Sequence, residues 1–311
     1  MTSGDALLTY SCHHHSRPPG LPGLGREPGI RIRPMAAADL ERVSELRRSV
    51  RWCTSPGAFD LVLRSIPSAR WAVAEARGGL VVGMVGAVPL GQVGLLCHLA
   101  VHPTHRGRGL GTRLSRWATS YLRSRGAGVV RLESTREAEG LYEALGFRAV
   151  GRRVLYRLEA KPRALYPPGR GHRVVLLRPG DLAELYDVDR RSYGGDRSAL
   201  LAAIVERRHG SGLVARDAEG SMTGFLLRSG TLLGPWTAST PEAARALLVC
   251  ELARGTWDST EVMAPGGGPS HRLLAELGFI GIPDRLRMEL GAPPRADGGL
   301  EAYGLSPYLI T

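Results

Sequence analysis

The apolar positions of this chain fall into short alternating runs separated by stretches of helical spacing. Ile30-Arg31-Ile32-Arg33-Pro34 alternates as a strand does. Ala38-Asp39-Leu40 then opens a segment with Val43, Leu46 and Val50 on one helical face. Residues 71–75 and 80–86 read as two strands joined by a Gly78-Gly79 turn. The run Leu99-Ala100-Val101 stops at His102-Pro103, a basic glycine-rich loop follows, and residues 113–122 carry helical spacing. Residues 129–135 read as a strand and residues 137–147 as a short helix closed by Gly146. The alternation of residues 152–158 suits a strand at a sheet edge.

The second half repeats this plan. Val174-Val175-Leu176-Leu177-Arg178-Pro179 with Asp181-Leu182 echoes Ile30 to Pro34 with Asp39-Leu40. Leu273-Leu274-Ala275-Glu276-Leu277-Gly278-Phe279 echoes Leu141-Tyr142-Glu143-Ala144-Leu145-Gly146-Phe147, and residues 286–290 echo 155–159. Such self-similarity marks a tandem duplication of one folding unit. The expected plan is a loosely attached Pro/Gly-rich leader over 1–29, a first domain over 30–160, a linker over 161–172, a second domain over 173–291 and a tail over 292–311.

The loop Arg106-Gly107-Arg108-Gly109-Leu110-Gly111-Thr112 carries the chemistry. Glycines at the start of a helix let backbone N–H groups converge on an anion, and the helix dipole favours negative charge there. Arg106 and Arg108 add charge-assisted donors. A dinucleotide fingerprint would need Gly-x-Gly-x-x-Gly, and a P-loop would need Gly-Lys-Ser/Thr; the sole lysine of the chain is Lys161.

Arg106 to Gly111 matches, at every fixed position, the Arg/Gln-x-x-Gly-x-Gly/Ala loop with which the GNAT N-acetyltransferase family holds the pyrophosphate of acetyl-CoA. The Leu-Tyr-Glu-x-Leu-Gly-Phe ending at Phe147 resembles a second block of the same family. Ser192-Tyr193-Gly194-Gly195-Asp196-Arg197 resembles the C-terminal domain of YitH-type tandem GNAT proteins. The resemblance implies two GNAT-like α/β domains, each a mixed, mostly antiparallel twisted sheet flanked by helices. It implies acetyl-CoA as acyl donor, held by the backbone of Leu99, Ala100 and Val101 and by the loop from Arg106 to Thr112. An N–H near Leu99 or Ala100 would face the thioester oxygen. Thr135 stands where many members carry an asparagine that holds the pantetheine arm.

The resemblance also supplies catalytic candidates. Tyr142 aligns with a tyrosine that protonates the departing thiolate, and it is otherwise a packing residue. His98 and Glu133 are the candidates for a base, although several family members use none. Trp52 and the Ser55-Pro56-Gly57 turn could shape the acceptor site, with Tyr193 and Trp236 contributing from the second domain. That domain lacks the basic loop, has Leu233 to Pro241 in its place, and has Leu274 where the first copy has Tyr142. It is therefore expected to be degenerate and not to bind CoA.

Composition changes the picture little. The 311 residues carry a formal net charge of +12, almost all from arginine. The arginines are spread along the chain without a basic block or interleaved aromatics, so no nucleic-acid partner is expected. No run is long and apolar enough to span a membrane. Cys12, Cys53, Cys97 and Cys250 are scattered, and Cys12-His13-His14-His15 has no matching ligand pair, so no metal is expected. The reading is a cytoplasmic N-acetyltransferase, monomeric or homodimeric, acting on a primary amine of a small molecule or peptide by direct transfer in a ternary complex. One alternative is an acyltransferase that uses a longer acyl-CoA or acyl carrier donor on a peptide amine. Another is a non-catalytic CoA-binding regulator or scaffold.

Overall fold

The structure is a computed structural model, described here for residues 29–52, 65–160, 172–206, 210–254, 259–293 and 300–304. The leader up to residue 28, the Ser55-Pro56-Gly57 turn, Cys12, Cys53 and the stretch 161–171 lie outside the described residues. The first half contributes β1 (Arg31–Pro34), α1 (Leu40–Ser49), β2 (Arg70–Glu75), β3 (Val81–Leu90), β4 (Val93–Val101), α2 (Leu110–Ser124), β5 (Val129–Ser134), α3 (Glu139–Glu143) and β6 (Arg148–Leu158). The second contributes β7 (Arg173–Leu176), α4 (Leu182–Tyr193), α5 (Ser198–Glu206), β8 (Gly210–Arg216), β9 (Met222–Ser229), β10 (Leu232–Ala238), α6 (Pro241–Arg254), β11 (Thr260–Pro265), α7 (Pro269–Glu276), β12 (Ile280–Gly291) and β13 (Glu301–Gly304).

The duplication is visible in local detail. Asp39 caps the turn before α1 by accepting from the Ala36 N–H at 2.8 Å, and Asp181 caps the turn before α4 by accepting from the Arg178 N–H at 2.7 Å. Arg33 then ties Asp39 to Glu75, and Arg216 ties Asp181 to Glu184. The Arg33 guanidinium, helped by the Ala36 N–H, holds the Asp39 carboxyl down at about 2.

The strands form one mixed sheet in the order β1-β2-β3-β4-β5-β12-β6-β11-β10-β9-β8-β7, with β13 beside β10. This order contains a reciprocal exchange. Strand β12, which closes the second repeat ahead of the tail strand β13, lies between β5 and β6 of the first half, with Glu133 opposite Arg287 and Arg131 opposite Glu289. The last strand of the first half, β6, lies between β12 and β11 of the second, with Arg157 opposite Glu261. The alternation of residues 152–158 thus belongs to a strand paired on both sides, not to an edge. Alternation reports that two faces differ; it does not report how many neighbours the backbone has.

Apolar packing follows the exchange. Helix α2 covers one sheet face of the first half through Leu114, Ala118 and Leu122, and it takes in Leu286 and Met288 from β12. Helices α6 and α7 cover the second half and take in Tyr156 and Leu158 from β6. A third cluster is common property: Val43, Leu46, Trp71 and Cys97 of the first half pack with Leu185, Val188, Leu200 and Phe225 of the second.

Candidate active site

Strands β4 and β5 run parallel and pair only at Val93, Gly94 and Leu95, opposite Val129, Val130 and Arg131. Beyond Leu95 they part. On its other side β4 follows β3 but carries an extra residue: Met84 pairs with Ala100 and Gly86 with Cys97, so His98 and Leu99 stand opposite Val85 alone. This bulge holds His98 at φ +53, a left-handed conformation that costs a non-glycine residue about 1–3 kcal/mol. The result is a slot whose wall is the backbone of Leu99, Ala100 and Val101.

At the end of β4, Pro103–His105 makes one 3-10 turn, and the side chain of Arg106 folds back to donate to the Val101 carbonyl at 3.1 Å. Gly107 and Gly109 have φ of +75 and +74, and Gly109 is the residue that enters α2. The first N–H groups of a 15-residue helix therefore point out at the loop. Gly111 permits the close approach of α3: a β-carbon there would meet Leu141 at 2.8 Å. The loop, the helix start and the slot are adjacent, as a phosphate followed by an extended arm requires. Thr135 is exposed just after β5.

Tyr142 is buried, edge-on to Phe147 at 5.6 Å. Burial, with Cys97 nearby, pushes its phenol well above the usual value, so it stays protonated at neutral pH. His98 is also buried, edge-on to Trp52 at 6.2 Å, and the Arg47 guanidinium lies over Trp52 at 5.9 Å. Burial, then Arg47 and Arg285, lower the imidazole to about 3. Such a group is neutral in the folded protein and a poor proton acceptor.

Its linkage to stability has a defined sign. The folded value lies below the unfolded value of about 6.5, so the stability is present above pH 6.5 and lost as pH falls toward 3. Urea unfolding should show wild type losing about 2 kcal/mol more than His98→Asn between pH 7.5 and pH 5. Asparagine suits this test because it tolerates the left-handed backbone. Equal losses would show that His98 titrates normally.

Glu133, on β5, has a side chain only 5% exposed. Its Oε1 accepts from Arg287 Nε at 3.0 Å and Arg153 Nε at 3.4 Å, and its Oε2 has no hydrogen-bond partner among the described residues. Tyr193, at the end of α4, also reaches β5: its carbonyl accepts from Arg131 at 2.6 Å, and Arg197 lies over its ring at 4.0 Å. Trp236 is elsewhere. It is fully buried in the second core, 5.1 Å from the Tyr303 ring, so the expectation that it lines an acceptor site does not hold. Arg153, Arg285 and Arg287 were not anticipated. The alternation Arg285-Leu286-Arg287-Met288-Glu289 shows a charged strand face, but not that this face lies beside β5.

The second half has the same divergence, since β10 and β11 pair only at Leu232 and Leu233 opposite Glu261 and Val262. There the slot is filled from within. Strand β13 pairs antiparallel with β10, placing Gly304 against Trp236 and Ala302 against Thr237. The tail thus occupies in the second half the place left open in the first.

Two stretches, residues 67–149 and 185–297, match models described as an acetyltransferase (GNAT) domain. N-alpha-acetyltransferase RimI of Mycobacterium tuberculosis is 33% identical over 142 residues, 42% of this chain and 85% of its own. The chain belongs to the GNAT acetyltransferase family. The uncharacterised N-acetyltransferase YitH of Bacillus subtilis strain 168 is 26% identical across 65% of this chain and 71% of its own. A mouse protein named probable N-acetyltransferase family 8 member 5 is 40% identical over 89 residues. These are 26% of this chain, which spans only 39% of the mouse protein. Two solved structures share the fold. One from Pyrococcus horikoshii has a TM-score of 0.75 at 22% identity over 96% of this chain and 99% of its own. A tandem GNAT protein from the clavulanic acid biosynthesis pathway has 0.61 at 17% identity over 86% and 99%. The chain is thus a GNAT acetyltransferase with two family domains in tandem. Among the described residues no helix is long and apolar enough to cross a membrane, and no group of three His, Cys, Asp or Glu could hold a metal.

Proposed function

We propose that the first half transfers an acetyl group from acetyl-CoA to a primary amine, in a ternary complex, in the cytoplasm. The observation that carries this reading is the open slot of β4 running into the glycine loop at the start of α2. The residues present suit such a donor. The loop from Arg106 to Thr112 offers N–H groups and arginine charge to a pyrophosphate. The backbone of Leu99 to Val101 offers a strand edge to the pantetheine amides, in the way that β10 already receives β13. Thr135 can add one hydroxyl.

The donor supplies a thioester whose acyl carbon is open to attack. The amine nitrogen bonds to that carbon, the C–S bond breaks, and the nitrogen loses a proton to water. The Tyr142 hydroxyl gives its proton to the departing sulfur and is reloaded from solvent. The buried phenol is held protonated and so carries the proton to be given, and placing both reactants in one cleft removes much of the entropic barrier. His98, kept neutral, is a packing and shaping group in this scheme, and no side chain acts as a dedicated base.

Tyr142→Phe tests the assignment. It should lower kcat on the order of 100-fold while leaving acetyl-CoA affinity, measured by calorimetry, within about threefold. Unchanged kcat would remove Tyr142 from the chemistry. Failure of wild type to bind acetyl-CoA would remove the function.

A further inference from the structure

The exchange brings together charges from three strands on one face. Glu133 and Arg131 of β5 stand opposite Arg287 and Glu289 of β12, and Arg153 of β6 stands opposite Arg285 of β12. Residues paired in antiparallel register point to the same side. This is the side away from α2, because the intervening Leu132, Leu286 and Met288 pack beneath α2. A donor held at the start of α2 leaves this opposite side to the acceptor.

Among the described side chains that are mostly shielded from water, Arg131, Arg153 and Arg287 face Glu133 and Glu289, an excess of one positive charge, and Arg285 adjoins them. Glu289 is taken up by Arg131 at 2.7 Å, and Glu133 Oε1 is shared by Arg153 and Arg287. One carboxylate oxygen thus serves two guanidinium groups. The strain is felt at Arg153, which burial and the neighbouring Arg287 bring down to about 10 despite Glu133. Arg285 adds a smaller electrostatic effect on both Tyr142 and His98, after burial. Uncompensated buried charge is unfavourable, and an incoming anion would relieve it. Glu133 Oε2, buried and unpartnered among the described residues, is an acceptor suited to the N–H of an amine.

The geometry points to an acceptor that carries an anionic group, a carboxylate or a phosphate, besides the amine. Arg285, Arg287 and Arg153 bind the anion and Glu133 Oε2 receives the amine. The site is built by both halves, since Arg285 and Arg287 belong to the second and Glu133 to the first. This rests on the proposed acetyl transfer only for the place of the donor.

The test is calorimetry on the full chain saturated with CoA, titrated with matched pairs. One pair is a dipeptide and its C-terminal amide; the other is phosphoethanolamine and ethanolamine. The anionic member of at least one pair should bind on the order of tenfold tighter, and the pair showing the larger ratio names the anion. Arg287→Met should abolish the preference and Arg287→Lys restore part of it. If Arg287→Met does not fold, Arg285→Met should reduce the ratio in the same direction. Equal affinities within both pairs, no binding of either anionic member, or a preference surviving both Met variants would overturn the inference. Failure of CoA to saturate the wild type would instead strike the donor assignment.

Discussion

Gly109→Asp is expected to abolish acetyl-CoA binding while leaving the fold intact. Gly109 sits at φ +74 where the chain enters α2. A side chain there carries modest strain, and aspartate is among the residues that tolerate it best. Aspartate is also a favoured residue ahead of a helix, because its carboxylate accepts the helix's first N–H groups. Those are the same N–H groups that would hold a pyrophosphate. The variant therefore satisfies the helix start internally and sets a negative charge where the ligand needs donors. The loss in affinity should exceed about 100-fold by calorimetry. Gly109→Asn separates the causes, since it brings nearly the same shape and strain without the charge and should lose far less. A Gly109→Asp protein within threefold of wild type would rule the loop out as the phosphate site.

The second large effect concerns the two halves. A fragment ending at residue 160 should fail to fold by itself, although it contains the whole glycine loop. Without β12, strand β5 loses the ladder from Ser134 to Val129 and β6 loses the one from Arg157 to Arg148. Leu286 and Met288 leave the core beneath α2, and Leu185, Val188, Leu200 and Phe225 leave the shared core. Two long unpaired edges on an opened core invite aggregation. Circular dichroism with thermal melting should show no cooperative transition for the fragment. Co-expression with residues 161–311 should restore one transition common to both. A monomeric fragment that melts cooperatively and binds acetyl-CoA would show that the exchange is dispensable.

Much of this was legible in the chain because local patterns carried it. The strand of Arg31 to Pro34, the hairpin around Gly78-Gly79, the helix after Gly109 and the repeat of the Asp39-Leu40 signal at Asp181-Leu182 each depend on neighbours in sequence. The glycine loop was legible for the same reason. What escaped depends on partners far away. Glu133 reads as a lone carboxylate until Arg287, 154 residues on, is set beside it. The tail reads as featureless, yet residues 301–304 form a strand because β10 presents an unpaired edge to them. Trp236 reads as a contributor to the acceptor site until the second core closes over it, with the Tyr303 ring 5.1 Å away. His98 resembles a base in sequence, and only its burial argues otherwise.

The reciprocal strand exchange has a consequence for how such a molecule can diversify. Two separate copies of a single-domain ancestor, swapping last strands, would make a symmetric pair with two identical clefts, and every mutation would strike both. Once joined in one polypeptide, the copies are free to differ. One cleft can be surrendered to the chain's own end and become scaffold. The strand that this copy lends can then evolve charges, such as Arg287, that face its neighbour's strands rather than its own.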